Sequence, residues 1–258
     1  MSAYFHFERR YEGQSSGNRI TYAVQRLIML NVAVFAVQLL LEIPLGGYSA
    51  GTPGGIVTDL LAFSPTMLMK GCIWQPFTYM FLHSNLMHLF LNMVGLYFFG
   101  PDVERILSTR QFFRFYIICG VAGALAEFAL WLIRTGSVSP TVVGASGATT
   151  AVLVAFAVAY PDREVFLIPF PFPVNARALV IIFIVMNLMS AMQNSSQAWM
   201  THFGGLAAGY AYMKLVPVLR TRLQSWQGKT KKSKDEFGSL GDAVDNIFKF
   251  EDEKRRRR

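Results

Sequence analysis

Ser146 lies in Gly144-Ala145-Ser146-Gly147 at the start of one apolar stretch, and His202 lies near the start of another. An imidazole within reach of a hydroxyl can take its proton and turn it into a nucleophile. The chemistry such a pair could carry is acyl transfer. Flanking glycines suit that role. They let the backbone turn sharply and offer N–H groups at a helix start, where the dipole also favours an oxyanion. Alone, G-x-S-G is a weak signal, because small residues around a serine also serve close helix packing.

A second polar group lies in Leu82-His83-Ser84-Asn85-Leu86-Met87-His88-Leu89-Phe90-Leu91-Asn92. His88 and Asn92 are four apart and share a helix face. Polar residues this far into an apolar span are costly, and are usually functional or mutually paired. They would suit oxyanion donors; the lesser alternative is a hydrogen-bonded cluster that holds helices together. His83 is five residues from His88, and helical spacing turns it away. His83, His88 and His202 are conceivable zinc ligands, but the chain has no H-E-x-x-H and an i,i+5 pair does not share a face. The expectation is no metal and no cofactor.

These residues need elements to hold them. The 258 residues are 53% apolar and 16% charged, against about 25% charged in a soluble domain. Six apolar segments run Tyr22–Ile43, Leu82–Gly100, Phe112–Ile133, Gly144–Tyr160, Ala176–Met192 and Trp199–Val216. Most approach the ~20 residues that cross a bilayer core. In lipid, helices are the way for such segments to satisfy their backbone. The expected fold class is an all-α polytopic membrane protein. Pro101 is expected to follow the second helix, and Pro169 to Pro173 to form a short stiff connection. The long first loop, Pro44 to Phe81, is apolar enough to hold short amphipathic pieces in the interface, or to pack on the helix ends.

Charge gives an orientation. Of the 24 Lys and Arg, 13 lie from Lys214 onward. That basic tail fits attraction to anionic lipid better than nucleic-acid binding. With the N-terminus inside, the outer loops hold only Lys70 and Arg134, a positive-inside pattern. Both termini are then cytoplasmic. Met1 to Gly17 is polar and reads as neither a cleavable signal nor a transit peptide, which fits a bacterial inner membrane. Cys72 and Cys119 are too few for a disulfide framework. The expected divisions are a cytoplasmic segment 1–20, a membrane core 21–217 and a basic cytoplasmic tail 218–258, in which Leu240–Phe250 has the pattern of a short amphipathic helix.

Geometry supports the Ser–His pairing. From Ser146 to Tyr160, the 15 residues make ~22 Å of helix, against a hydrocarbon core of ~30 Å. With Tyr160 at the inner boundary, Ser146 lies below the outer surface, and the chain before it enters as non-helical backbone. That is tolerated where protein or a wet cavity surrounds it. Gly147, Ala151, Ala155 and Ala159 form a small-residue ladder; Gly205 and Gly209 form another. Such faces let membrane helices approach closely. Contact along them would bring Ser146 to His202. Neither Asp nor Glu is an evident third member, so the expectation is a dyad. Glu127 reads better as a packing or cavity residue than as a partner.

The chain resembles the rhomboid intramembrane serine protease family. The residues that carry this are Trp74-Gln75-Pro76-Phe77-Thr78-Tyr79-Met80-Phe81-Leu82-His83-Ser84-Asn85, His88 with Asn92, Gly144-Ala145-Ser146-Gly147, and His202 with Gly205 and Gly209. The resemblance implies a six-helix bundle with Ser146 as nucleophile and His202 as base and then acid. It implies oxyanion donors at His88, Asn92 and the Ser146 N–H, and a hole shaped by Gly144. It also implies transmembrane protein substrates that enter laterally, past helix 5 and the first loop. Glu104-Arg105 resembles a structural polar network. Many members carry Arg where Gln75 stands, and several have an aromatic at the place of Thr150 that stacks on the histidine; here something else must orient the imidazole, with Phe203 and Tyr116 as candidates. Two rival readings are a non-catalytic binder of membrane helices, whose mark is a missing Ser or His, and a solute channel through His83, His88 and Asn92. The apolar run Val94 to Phe99 stops a polar path midway. Nothing in the sequence specifies an oligomeric state.

Overall fold

Helix α1 (Tyr22–Glu42) opens the described chain, followed by three short helices, α2 (Ile56–Leu61), α3 (Pro65–Met69) and α4 (Gln75–Thr78). A 3-10 turn, Tyr79–Phe81, leads to α5 (Leu86–Leu107) and α6 (Thr109–Ile133). Then come α7 (Ser146–Ala159), strands β1 (Glu164–Phe166) and β2 (Pro173–Asn175), α8 (Ala176–Met192) and α9 over 199–211. This is a computed structural model, and it describes residues 20–43, 55–134, 139–166, 173–192 and 199–216. The N-terminal segment, the basic tail with Leu240–Phe250, and most of the Pro169–Pro173 connection lie outside those residues. Contacts group Met1–Ala211 into one unit and Tyr212–Arg258 into another. Of the second unit, 212–216 are described and helical.

Among the described residues α1, α5 and α6 have the length and hydropathy to cross a membrane, while α7 and α8 are shorter apolar helices. Their outward faces suit lipid. On α8, Ile181, Val185, Met186, Met189 and Met192 are exposed, and on α1 so are Met29, Val37, Leu40 and Leu41. Apolar faces this extensive belong to a membrane or to an interface. α7 is the opposite case. Gly147, Ala148 and every residue from Thr150 to Ala157 are buried, because α7 packs against α5, α6 and α8. A helix that is apolar all round belongs at the centre of a bundle.

Four expectations change. The second helix begins at Leu86, not Leu82, because Asn85 caps it: Asn85 Oδ1 accepts from the His88 N–H at 2.8 Å. It also runs through Pro101 to Leu107. A proline removes one helical hydrogen bond, but packed neighbours carry the helix past it. Here Gly100 lets Val24 approach so closely that an added Cβ would lie 2.6 Å from Val24 Cγ2. The all-helical reading misses the antiparallel ribbon in which Glu164, Val165 and Phe166 pair with Asn175, Val174 and Pro173. His83 precedes α5, so helical spacing does not turn it away. It is buried, with its ring 5.1 Å from that of His88.

The added length of α5 has a use. Glu104 Oε1 and Oε2 accept from the Ala23 and Val24 N–H groups, at 3.0 and 3.1 Å, and Thr109 Oγ1 donates to Oε1 at 2.7 Å. A helix start leaves N–H groups unpaired and favours negative charge. Thr21 gives α1 no side-chain cap, so Glu104 supplies it from another helix. Asp102 pairs with Arg105 and Arg163.

The first loop is tied down on both sides. Glu42 Oε1 accepts from the Thr58 N–H at 2.8 Å, and Gln38 Nε2 donates to Thr58 Oγ1. Trp74 Nε1 donates to the Leu60 carbonyl, and Thr78 Oγ1 to that of Leu61. Gln75 does the anchoring at its position: its Oε1 accepts from the Ser64 N–H at 3.1 Å, and the side chain is 1% exposed.

Candidate active site

Gly144-Ala145-Ser146-Gly147 forms the entry to α7, and Ser146 is its first helical residue. The chain before it is extended but satisfied. Phe63 and Val142 exchange both backbone hydrogen bonds, at 2.9 and 2.8 Å. Buried backbone must find such partners. Gly144 N–H donates to the Tyr79 carbonyl at 2.9 Å, and Tyr79 Oη donates to the Gly120 carbonyl at 2.6 Å. Gly144 has φ 120°, a conformation side chains rarely adopt. An added Cβ there would lie 2.6 Å from His88 Nε2. Glycine is therefore required both for the turn and for the approach of the imidazole.

The two ladders meet. An added Cβ on Gly205 would overlap the Gly147 carbonyl oxygen, and one on Gly209 would lie 2.8 Å from Ala151 Cα. This backbone-to-backbone contact of α7 and α9 sets the register of the next residues out. His202 Nε2 lies 2.8 Å from Ser146 Oγ. Its Nδ1 lies 2.6 Å from Asn187 Oδ1 on α8. An amide oxygen only accepts, so Nδ1 carries the proton and the Ser146 hydroxyl donates to Nε2.

His88 and Asn92 face the same end of α7. The Ser84 N–H points at His88 Nδ1 at 3.5 Å, and Ser84 Oγ lies 3.1 Å from it. With Nδ1 accepting, the remaining proton sits on Nε2, the atom against Gly144. Asn92 Nδ2 donates to the His88 carbonyl at 2.9 Å, and its Oδ1 accepts from Thr149 Oγ1 at 3.0 Å. The second Nδ2 proton remains for another acceptor. The first turn of α7 also leaves backbone N–H groups without helical partners.

The structure thus brings Ser146, His202, His88, Asn92 and Gly144 together. Both ring nitrogens of His202 are taken by Ser146 and Asn187, which leaves none for Glu127. That carboxylate instead lies 3.5 Å from Thr201 Oγ1, its donor. The two candidate ring supports have other described neighbours: Phe203 packs edge-on against Trp199, and buried Tyr116 lies beside Asn31 of α1. Phe183 provides the aromatic, with its centroid 5.7 Å from that of His202. Thr150 Oγ1 donates to the Gly147 carbonyl beneath α9. Sequence reasoning passes over three residues, Thr149, Phe183 and Asn187. Thr149 follows Ser146 by about one helical turn. Asn187 is a lone amide in the apolar run of α8, and a polar residue inside such a run is itself a signal.

The family model described as Rhomboid domain matches residues 70–217. The chain belongs to the rhomboid family. It is accordingly an integral membrane protein, with the apolar helix faces that setting requires. Among similar proteins, Rhomboid protein 1, mitochondrial, of Saccharomyces cerevisiae is 33% identical over 136 residues, 51% of this rhomboid chain and 38% of that protein. Rhomboid protease GluP of Bacillus subtilis is 30% identical over 145 residues, 56% of this chain and 26% of that protein. Rhomboid protease AarA of Providencia stuartii is 28% identical over 206 residues, 71% of this chain and 68% of that protein. This rhomboid therefore spans well under half the length of the first two relatives.

Proposed function

We propose that this chain is an intramembrane serine endopeptidase that cuts a peptide bond in or beside a transmembrane helix of a membrane-protein substrate. The observation that carries the reading is the 2.8 Å contact between Ser146 Oγ and His202 Nε2. In this mechanism Nε2 takes the hydroxyl proton as Oγ attacks the scissile carbonyl, and later gives it to the leaving amine. The oxyanion is met by the Ser146 N–H at the helix start, His88 Nε2–H and the free Asn92 Nδ2–H, with Gly144 leaving room for them. Hydrolysis of the acyl-enzyme by water completes the cycle. The residues need no metal or cofactor for these steps.

The same reading takes α1, α5, α6, α7, α8 and the helix from residue 199 as six spans of one core, 21–217, between a cytoplasmic segment 1–20 and a basic tail 218–258. Positive charge then favours a cytoplasmic side for both termini, and the membrane of this reading is a bacterial inner membrane. A substrate would be another membrane protein, reached through the bilayer.

Purified protein in liposomes should cleave a reporter fused to a transmembrane helix, and Ser146→Ala and His202→Ala should each abolish the cut. A fluorophosphonate should label Ser146 in the wild type and not in His202→Ala. Undiminished cleavage by either variant would sink the dyad.

A further inference from the structure

Asn187 is the polar exception on α8. Among described α8 residues only Ala176, Leu179 and Asn187 are buried. The amide is oriented from two sides. Its Nδ2 donates to the Phe183 carbonyl, one turn back, at 2.8 Å. A carbonyl only accepts, so the amide nitrogen must face it, and Oδ1 is turned toward His202 Nδ1, 2.6 Å away. Phe183, on the same face, packs its ring against the imidazole at a tilt of 56°. One helix therefore supplies both an acceptor for Nδ1 and a wall for the ring.

We propose that Asn187 is the positioning residue for His202, fixing the tautomer and ring plane of the general base from a helix that carries neither member of the Ser146–His202 pair. The inference rests on that pair acting as described above. Without an acceptor at Nδ1 the neutral ring is free to carry its proton on Nε2, which cannot then receive one from Ser146. An amide fits this place better than a carboxylate. A carboxylate would orient the ring equally well but would bring a charge into an apolar span, where charge is costly. The base of this chain is oriented by a neutral dipole. It also follows that the tautomer is held only while α8 lies against His202, because Asn187 is the described partner of its Nδ1.

The test uses the full chain in detergent micelles and two variants, Asn187→Leu and Asn187→Asp. Leucine has the same branched side-chain outline and cannot accept a hydrogen bond. Nitrogen-15 NMR of labelled histidine, with His202→Gln identifying the signal, should show the neutral His202 proton on Nδ1 in the wild type and a tautomer mixture in Asn187→Leu. Labelling of Ser146 by a fluorophosphonate should slow by about 10²-fold in Asn187→Leu, below the ~10⁴ known for the wrong tautomer in a triad. Asn187→Asp should recover much of that rate, and the acid limb of its pH profile should move to higher pH, because a carboxylate stabilises the imidazolium. Wild-type labelling by Asn187→Leu with the Nδ1 proton unmoved would overturn the proposal. So would an Asn187→Asp variant as slow as Asn187→Leu with an unshifted profile. Failure of the parent reading looks different: the wild type itself would not be labelled, and the NMR arm would still decide whether Asn187 holds the tautomer. A destabilised Asn187→Leu leaves Asn187→Asp and the wild-type tautomer to decide.

Discussion

Gly205→Ala adds a single methyl group at the closest approach of α7 and α9. The new Cβ would overlap the Gly147 carbonyl oxygen, and would stand 2.8 Å from the Gly147 carbonyl carbon and 2.9 Å from Thr150 Oγ1. Two of these obstacles are backbone, so no rotamer change relieves them. Moving the carbonyl carbon alone from 2.8 Å to the 3.4 Å of ordinary contact takes about 0.6 Å, and the oxygen demands more. A displacement of roughly 1 Å at Gly205 reaches His202, less than one turn away on the same helix. The Nε2 to Oγ distance of 2.8 Å then exceeds hydrogen-bond range. Overpacking of this size costs about 1–3 kcal/mol of stability. A misplacement of ~1 Å costs about 10²-fold in rate. Gly209→Ala meets Ala151 at 2.8 to 3.0 Å and lies two turns from His202, so its loss should be several-fold smaller. The assay is the second-order rate of fluorophosphonate labelling of folded protein, alongside a thermal melt. A Gly205→Ala variant that labels at the wild-type rate would refute the claim that the glycine ladder sets the distance between the pair.

Two other outcomes follow from single contacts. Thr149→Val removes the donor that holds Asn92 Oδ1 at 3.0 Å; cleavage should fall about 10-fold, less than the ~10²–10³ that a whole oxyanion donor contributes, while Thr149→Ser should keep most of the rate. Glu104→Gln removes the charge that accepts from two α1 N–H groups; hydrogen bonds to a charged group contribute about 1.5–3 kcal/mol, so the melting temperature should drop while the labelling rate of the folded fraction stays unchanged.

The parts of this molecule that the sequence made legible are those with periodic signatures. α8 spans the residues its hydropathy outlines, Ala176–Met192, and the small residues of α7 and α9 do face each other. Non-local partners without such a small-residue ladder were not legible. The ribbon of Glu164–Phe166 with Pro173–Asn175 depends on pairing across a proline-rich connection that reads only as a breaker. Pro101 reads as a stop by local rules, yet packing of Val24 on Gly100 and the cap from Glu104 hold that turn in place. Asn187 is separated from His202 by 15 residues, and no spacing rule ties an amide on one helix to an imidazole on the next.

The site draws each part from a different element. Ser146 and Thr149 come from α7, His88 and Asn92 from α5, Asn187 and Phe183 from α8, and His202 from α9. Side-chain bonds orient these groups, but they do not set how far apart the helices stand. That spacing comes from glycines whose backbones touch, and from Gly144, whose turn is bonded to the Tyr79 carbonyl. Changes to the two kinds of contact should therefore differ in kind. Removing an orienting group such as Thr149 or Asn187 should slow the chemistry of a protein that still melts normally. Adding a methyl group at Gly205 should move both the rate and the melt, because it shifts the backbone that the rest of the site is measured from.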